Sequence, residues 1–308
     1  MANAIDRRDF LKTTAAALAL PAAAPGAAGG MYVSLNGSLV GNKAPWPEFA
    51  RLAARVGYGG ADLNLGAAMK EGLEATRELI SSLKLRLAFC GLPVNATRDE
   101  DTFRKNMEAL PAAARFASAV GCPRMVTVMS PSSQTPKEEL RKTLLARYTA
   151  VSKVLADSNV RMGFEFLGPL QFRTRAPHEF IWRMNEMLEF AKECGPNMGL
   201  LLDVWHWYHA GATVGDIIAA GKSRIVTIHL SDCPKMAPED VRDNQRVMPG
   251  EGVIDLVGFF HALKQIGYED GVSPEPIGRI PADMSAEDGA RLGLQTTLAV
   301  MRKAGVIA

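Results

Sequence analysis

Short runs of β-branched and apolar residues alternate with amphipathic stretches eight times between residues 31 and 305, and this alternation constrains the fold more than any other feature. The strand-like runs are 31-MYVSLN, 60-GADLNL, 86-RLAFCG, 125-MVTVMS, 161-RMGFEF, 198-MGLLLD, 224-RIVTIHL and 271-GVSPE. Helices are expected between and after them at 46–56, 71–83, 101–120, 137–157, 178–194, 213–221, 255–267 and 286–303. Glycine follows several of these helical stretches where a left-handed cap is needed, as in Val56-Gly57, Val120-Gly121, Cys194-Gly195 and Ile266-Gly267. Strands joined in this way pair in parallel, and eight units without an internal linker match a single (β/α)8 barrel. An open doubly wound sheet normally carries a G-x-G-x-x-G turn after its first strand. Here 33-VSLNGSLVGNKAP runs into Pro and Trp instead. The expected organisation is a leader over 1–30 and one barrel over 31–308.

Barrel enzymes build their sites at the C-terminal ends of the strands. The ends of strands five to eight supply Glu165, Asp203, His229 and Glu275. Three carboxylates converging in a poorly solvated pocket repel one another strongly, and a divalent cation is the simplest way to hold them ionised. A hard, oxygen-rich set of this kind favours Mn²⁺ or Mg²⁺, with Zn²⁺ or Co²⁺ as alternatives. Each acid also has a plainer reading as the cap of the following helix. Glu165 and Glu275 stand on different strands and can serve as acid and base on two faces of one carbon. His206, three residues after Asp203, can exchange a hydrogen bond with a substrate oxygen at neutral pH. Arg246 precedes the turn Pro249-Gly250-Glu251-Gly252 and offers fixed cationic donors, or pairs with Asp243 or Glu251. Trp205, with Trp207 and Tyr208, is expected either to wall the site or to pack in the core. His209 reads as a rim histidine, and His178 and His261 as helix residues outside the site.

These residues resemble the xylose isomerase-like barrels, which include ketose 3-epimerases, hydroxypyruvate isomerase, inosose dehydratase and endonuclease IV. The resemblance rests on 163-GFEF, 203-DVWHWYHAG, 229-HLSD, 246-RVMPGEGVID and 272-VSPE, and spans residues 31–305. It implies that Glu165, Asp203, His229 and Glu275 bind one divalent metal, that His206 and Arg246 contact substrate, and that Glu165 and Glu275 move the proton. It also implies an isomerase or epimerase acting on a keto sugar or related polyol through a metal-stabilised enediolate. A lyase or dehydratase acting on a 3-keto sugar, keto-glycoside or inosose begins with the same proton abstraction and is the alternative. A non-catalytic sugar-binding barrel is a third reading. The nuclease member needs further histidines near strands two and three, where this chain has 62-DLNLG and 89-FCGLP.

Composition agrees with a small-molecule partner. Formal net charge is +2 and no Lys/Arg cluster follows a helix face, which argues against nucleic acid or a membrane surface as partner. The N-terminus, Arg7-Arg8-Asp9-Phe10-Leu11-Lys12 followed by 13-TTAAALALPAAA, resembles a twin-arginine export signal with cleavage expected after Ala24 or Ala28. The apolar run is too short for a stable spanning helix. Periplasmic or otherwise exported protein is therefore expected, and with it an unphosphorylated substrate. Cys90, Cys122, Cys194 and Cys233 lack CxxC spacing and read as buried free thiols. Homo-oligomers are common among barrels of the resembling family, and one is possible here.

Overall fold

The structure, a computed structural model, describes residues 30–41 and 44–308. The leader and its arginine pair lie outside the described residues. Ten strands form among the described residues: β1 Tyr32–Leu35, β2 Gly60–Leu63, β3 Arg86–Gly91, β4 Arg124–Met129, β5 Ser132–Ser133, β6 Arg161–Phe166, β7 His178–Glu179, β8 Met198–Asp203, β9 Ile225–Leu230 and β10 Gly271–Pro274. Eight of them close a parallel barrel in the order β1-β10-β9-β8-β6-β4-β3-β2. The alternation of strand and helix thus resolves into the single eight-stranded barrel expected.

Alternation along β6 shows how the sheet aims its side chains. Phe164 turns outward and packs edge-on against Tyr148 and Phe190 at ring-centroid distances of 4.8 and 5.5 Å. Tyr148 belongs to α5 (Lys137–Ala156) and Phe190 to α7 (Met184–Cys194). All three rings are almost fully buried, and Phe164→Ala would cost about 3–5 kcal/mol. With a two-residue period, outward Phe164 leaves Glu165 pointing the other way, into the barrel. Two residues earlier Gly163 allows β6 and β8 to close up, because a Cβ there would stand 2.5 Å from the Leu201 backbone nitrogen. Asp203 on β8 is in register with His229 on β9, and Ser273 on β10 with the same His229. The barrel's own hydrogen bonding therefore sets three site-bearing strands level with one another.

Helices follow the expected pattern with two differences. The stretch 71–83 is interrupted at Gly72 (φ 95°), which separates α2 (Leu65–Glu71) from α3 (Leu73–Leu83). The stretch 178–194 is helical only from Met184, and His178–Glu179 instead pairs antiparallel with Ser132–Ser133. Pro177 favours an extended entry, because the residue before a proline is pushed out of the helical region. His178 is accordingly a strand residue. A short helix not expected from periodicity, α8 (Val204–His209), follows β8 directly. All four cysteines are free and buried. Among the described residues no helix is long and apolar enough to cross a membrane.

Candidate metal centre

Glu165, Asp203, His229 and Glu275 converge at the C-terminal mouth of the barrel, each offering one ligand atom, all within 4.8 Å of one another. His229 turns Nδ1 into the carboxylates, 3.3 Å from Glu165 Oε1, 3.2 Å from Glu275 Oε2 and 3.9 Å from Asp203 Oδ2. Its opposite nitrogen, Nε2, has no partner among the described residues, and Phe89 lies 5.2 Å away, centroid to centroid. Asp203 satisfies both readings of a strand-end acid at once. Oδ1 accepts from the Trp205 amide at 2.7 Å and caps α8, while Oδ2 faces the centre.

Protonation tendencies expose the electrostatic problem these side chains set one another. Burial pushes the Glu165 carboxyl up to about 7, helped by Glu275 and Asp203 and opposed by His229. Burial alone would strip His229 of its proton, but Glu275 and Glu165 outweigh it and raise the imidazole well above its ordinary range. The acids thus draw a proton onto the His229 ring. Excess negative charge, oxygen donors and an inward imidazole nitrogen are what a divalent ion offsets, and the four residues fit one.

Arg246 is the fixed cation of the site. Burial disfavours its charge, yet Asp203 and Glu275 more than compensate and hold the guanidinium protonated. Nη1 donates to Asp203 Oδ2 at 2.6 Å and to Glu275 Oε2 at 3.1 Å. Nε and Nη2 both reach Asp243 Oδ1, at 3.1 and 2.8 Å, and Nη2 also lies 3.2 Å from His206 Nε2. These contacts engage all five N–H groups of the fork. Of the two expectations for Arg246, substrate contact or pairing with Asp243 or Glu251, the structure shows the pairing with Asp243 and adds bonds to Asp203 and Glu275. Because arginine always donates, His206 must accept through Nε2 and carry its proton on Nδ1, which has no partner among the described residues. Burial and Arg246 agree with that neutral ring, lowering its pKa to about 3 against the pull of Asp203. On Asp203 itself burial opposes ionisation, and Arg246 and His229 overcome it to hold the carboxyl below the usual range.

Asp232, the last residue of 229-HLSD, was not singled out from sequence, and the structure gives it a clear task. It is 1% exposed and accepts four backbone N–H groups, from Cys233 (2.8 Å), Gly250 (3.1 Å), Gly252 (3.0 Å) and Ile254 (3.0 Å). It also forms a bridge with Val247. One buried carboxylate therefore pins the loop that delivers Arg246 and explains why HLSD and PGEG occur together. Trp205 needs correcting as a wall of the site. It is fully buried, with Arg246 5.5 Å from its ring and His209 packed edge-on at 4.5 Å. It supports Arg246 from within the core, while Tyr208, 39% exposed, stays at the surface. His261 bonds the Ala304 carbonyl, away from the centre.

Asp62 also escaped the sequence reading, since it sits inside a run that looks like ordinary strand. It lies at the end of β2, held by Ser34 (2.8 Å to Oδ1), Asn36 (3.1 Å to Oδ2) and Ser273 (2.5 Å to Oδ2). Burial pushes its carboxyl up to about 6, against Ser273, His229 and Ser34.

A sequence model described as the xylose isomerase-like TIM barrel matches residues 50–302. The chain belongs to that family. Among the xylose isomerase-like barrels it resembles, the inosose isomerase of Halalkalibacterium halodurans is 26% identical over 219 residues, covering 70% of this chain and 75% of that protein. A xylose isomerase domain protein from Alicyclobacillus acidocaldarius superposes with a TM-score of 0.82 at 28% identity, over 89% of this chain and 99% of that one. The IOLI protein, solved with a bound zinc atom, shares the fold with a TM-score of 0.75 at 22% identity, over 89% of this chain and 99% of that one. L-ribulose 3-epimerase shares it with a TM-score of 0.68 at 18% identity, over 89% and 96%. The protein is thus a xylose isomerase-like barrel with a candidate site for a divalent ion.

Proposed function

We propose that this protein is a divalent-metal-dependent isomerase or epimerase acting on an unphosphorylated keto sugar or cyclitol. The observation that carries the reading is the convergence of three carboxylates and one imidazole nitrogen within 4.8 Å at the barrel mouth. Glu165, Asp203, His229 and Glu275 would hold the ion, with Mn²⁺ or Mg²⁺ favoured. When bound, the metal supplies Lewis acidity that polarises a carbonyl and offsets the negative charge developing on oxygen as the adjacent C–H proton leaves. Support for a sugar comes from relatives named as inosose isomerases and ketose epimerases.

The chain's own groups do the rest. Glu165 and Glu275 reach the centre from β6 and from the residue after β10, and one takes the proton that the other, or the same one, returns. Arg246 keeps Asp203 and Glu275 fixed relative to each other, so neither acid has to reorganise as charge moves. His206, its Nδ1–H unclaimed by any described residue, donates to a substrate oxygen. The exported location expected from Arg7-Arg8-Asp9-Phe10-Leu11-Lys12 supports an unphosphorylated substrate. Replacing Arg7 and Arg8 by lysines and comparing periplasmic with cytoplasmic protein tests that part.

The reaction is tested by incubating the Mn²⁺-loaded protein with free ketoses, 3-keto sugars and inososes in deuterated water, followed by mass spectrometry. Deuterium gained without other change of formula is the expected result. Exchange accompanied by loss of water makes the enzyme a dehydratase, and no exchange on any member overturns the reading.

A further inference from the structure

Beside the metal centre, above the ends of β1, β2 and β3, lies a cavity of about 500 Å³ that none of the four metal-ligand residues lines. Among the described residues Trp46, Phe49, Leu65, Met69 and Leu92 give it a largely apolar wall, and its side-chain polar groups are Asp62, Asn64 and the buried Trp46 Nε1–H, which has no partner among the described residues. A volume of this size falls within the range that holds a drug-sized ligand. The cavity is joined to the centre through Asp62, which shares Ser273 with β10, two residues before Glu275.

The polar inventory decides what fits. Asp62 Oδ2 already accepts from Asn36 and Ser273, and Oδ1 from Ser34. One acceptor position, on Oδ1, remains free. The polyhydroxyl end of a second sugar would find Asp62, Asn64 and the Trp46 Nε1–H as side-chain partners among the described residues and would leave its remaining O–H groups facing Phe49, Leu65 and Met69, where burying them unpaired disfavours binding. An aromatic or alkyl group places carbon against carbon and needs no such partners.

We infer that this cavity is a second subsite, which takes an apolar, aglycone-like substituent of the sugar and reads one hydroxyl on it through Asp62. The assignment rests on the sugar-acting reading of the metal centre and extends it from bare keto sugars to their aryl or alkyl glycosides. The sugar ring would lie at the metal centre and the substituent over β1–β3.

Glycosides that are not oxidised at the ring report binding without turnover, so the subsite is testable apart from the reaction. Isothermal titration of the Mn²⁺-loaded protein would compare methyl, phenyl and 4-hydroxyphenyl β-D-glucosides. Burying the phenyl ring should tighten binding about tenfold or more over the methyl glucoside. Met69→Glu, at a position exposed enough to keep the fold, should erase that preference. Asp62→Asn should remove the further gain of the 4-hydroxyphenyl compound while leaving the phenyl gain in place. Equal affinity for methyl and phenyl glucosides, or an aryl preference untouched by Met69→Glu, overturns the assignment. Deuterium exchange into keto sugars without any aryl preference sinks the subsite and spares the reaction. An aryl preference that Met69→Glu abolishes, with no exchange on any keto sugar, does the reverse.

Discussion

The two sides of the barrel mouth are built on opposite principles. On the side of β6, β8, β9 and β10, buried charge is dense and every group is tied to another: Arg246 to Asp203, Glu275 and Asp243, and His229 to Glu165 and Glu275. On the side of β1, β2 and β3 the wall is apolar, and a single carboxylate, Asp62, is partly satisfied by two serines and an asparagine. The first arrangement is costly to assemble and tolerates little change, as expected of a reaction centre. The second is cheap in polar groups and open to variation, as expected of a surface that chooses among substrates.

The contrast breaks most readily at the acids. Glu165→Gln or Glu275→Gln should lower deuterium exchange by about three orders of magnitude with circular dichroism unchanged, since each removes a proton-transfer group and a metal ligand. A loss under about tenfold in both variants would erase the distinction between the two sides. Asp232→Ala should come next, because it strands up to four buried backbone N–H groups. A stability loss of about 3–4 kcal/mol in urea unfolding is expected, with kcat falling more than KM rises as the Arg246 loop slackens. Arg246→Lys keeps the charge but loses the five-donor fork, and metal affinity measured by titration should drop about 10–100-fold.

The smallest effect sharpens the other side. Asp62 titrates higher in the folded protein, about 6, than when unfolded, so between roughly pH 4 and 6 the native state holds the extra proton. Stability contributed through this group therefore falls as pH rises across that window and is constant above it. Asp62→Asn removes that dependence. The stability difference, mutant minus wild type, should rise by about 1–2 kcal/mol between pH 4 and pH 7, and a flat difference would show that Asp62 is not strained by burial.

Much of this was legible before any coordinates. Strand and helix periodicity, with glycine at helix ends such as Gly57, announced the barrel because those signals are local. The metal set was legible because each residue ends a strand, and strand ends in a closed barrel must meet. For Arg246 the pairing with Asp243, three residues away, was legible, but the bonds to Asp203 and His206, 43 and 40 positions away, were not, because spacing does not reveal partners brought in by barrel closure. Trp205 and Tyr208 share one short motif yet differ from fully buried to 39% exposed, a distinction that helix phase settles only once the helix axis is placed. Asp62 and Asp232 act through partners brought in by chain closure, such as Ser273 and Ile254, and nothing nearby in sequence points to them.

Metal titration across both sides of the mouth tests the central claim most directly. Mn²⁺ binding would be followed by calorimetry in the wild type, in Glu165→Gln, Asp203→Asn, His229→Ala and Glu275→Gln, and in Asp62→Asn. One ion per chain is expected in the wild type and in Asp62→Asn, with affinity falling at least about 100-fold in each of the other four. Unchanged stoichiometry and affinity in those four, or loss of the ion in Asp62→Asn alone, would contradict the account.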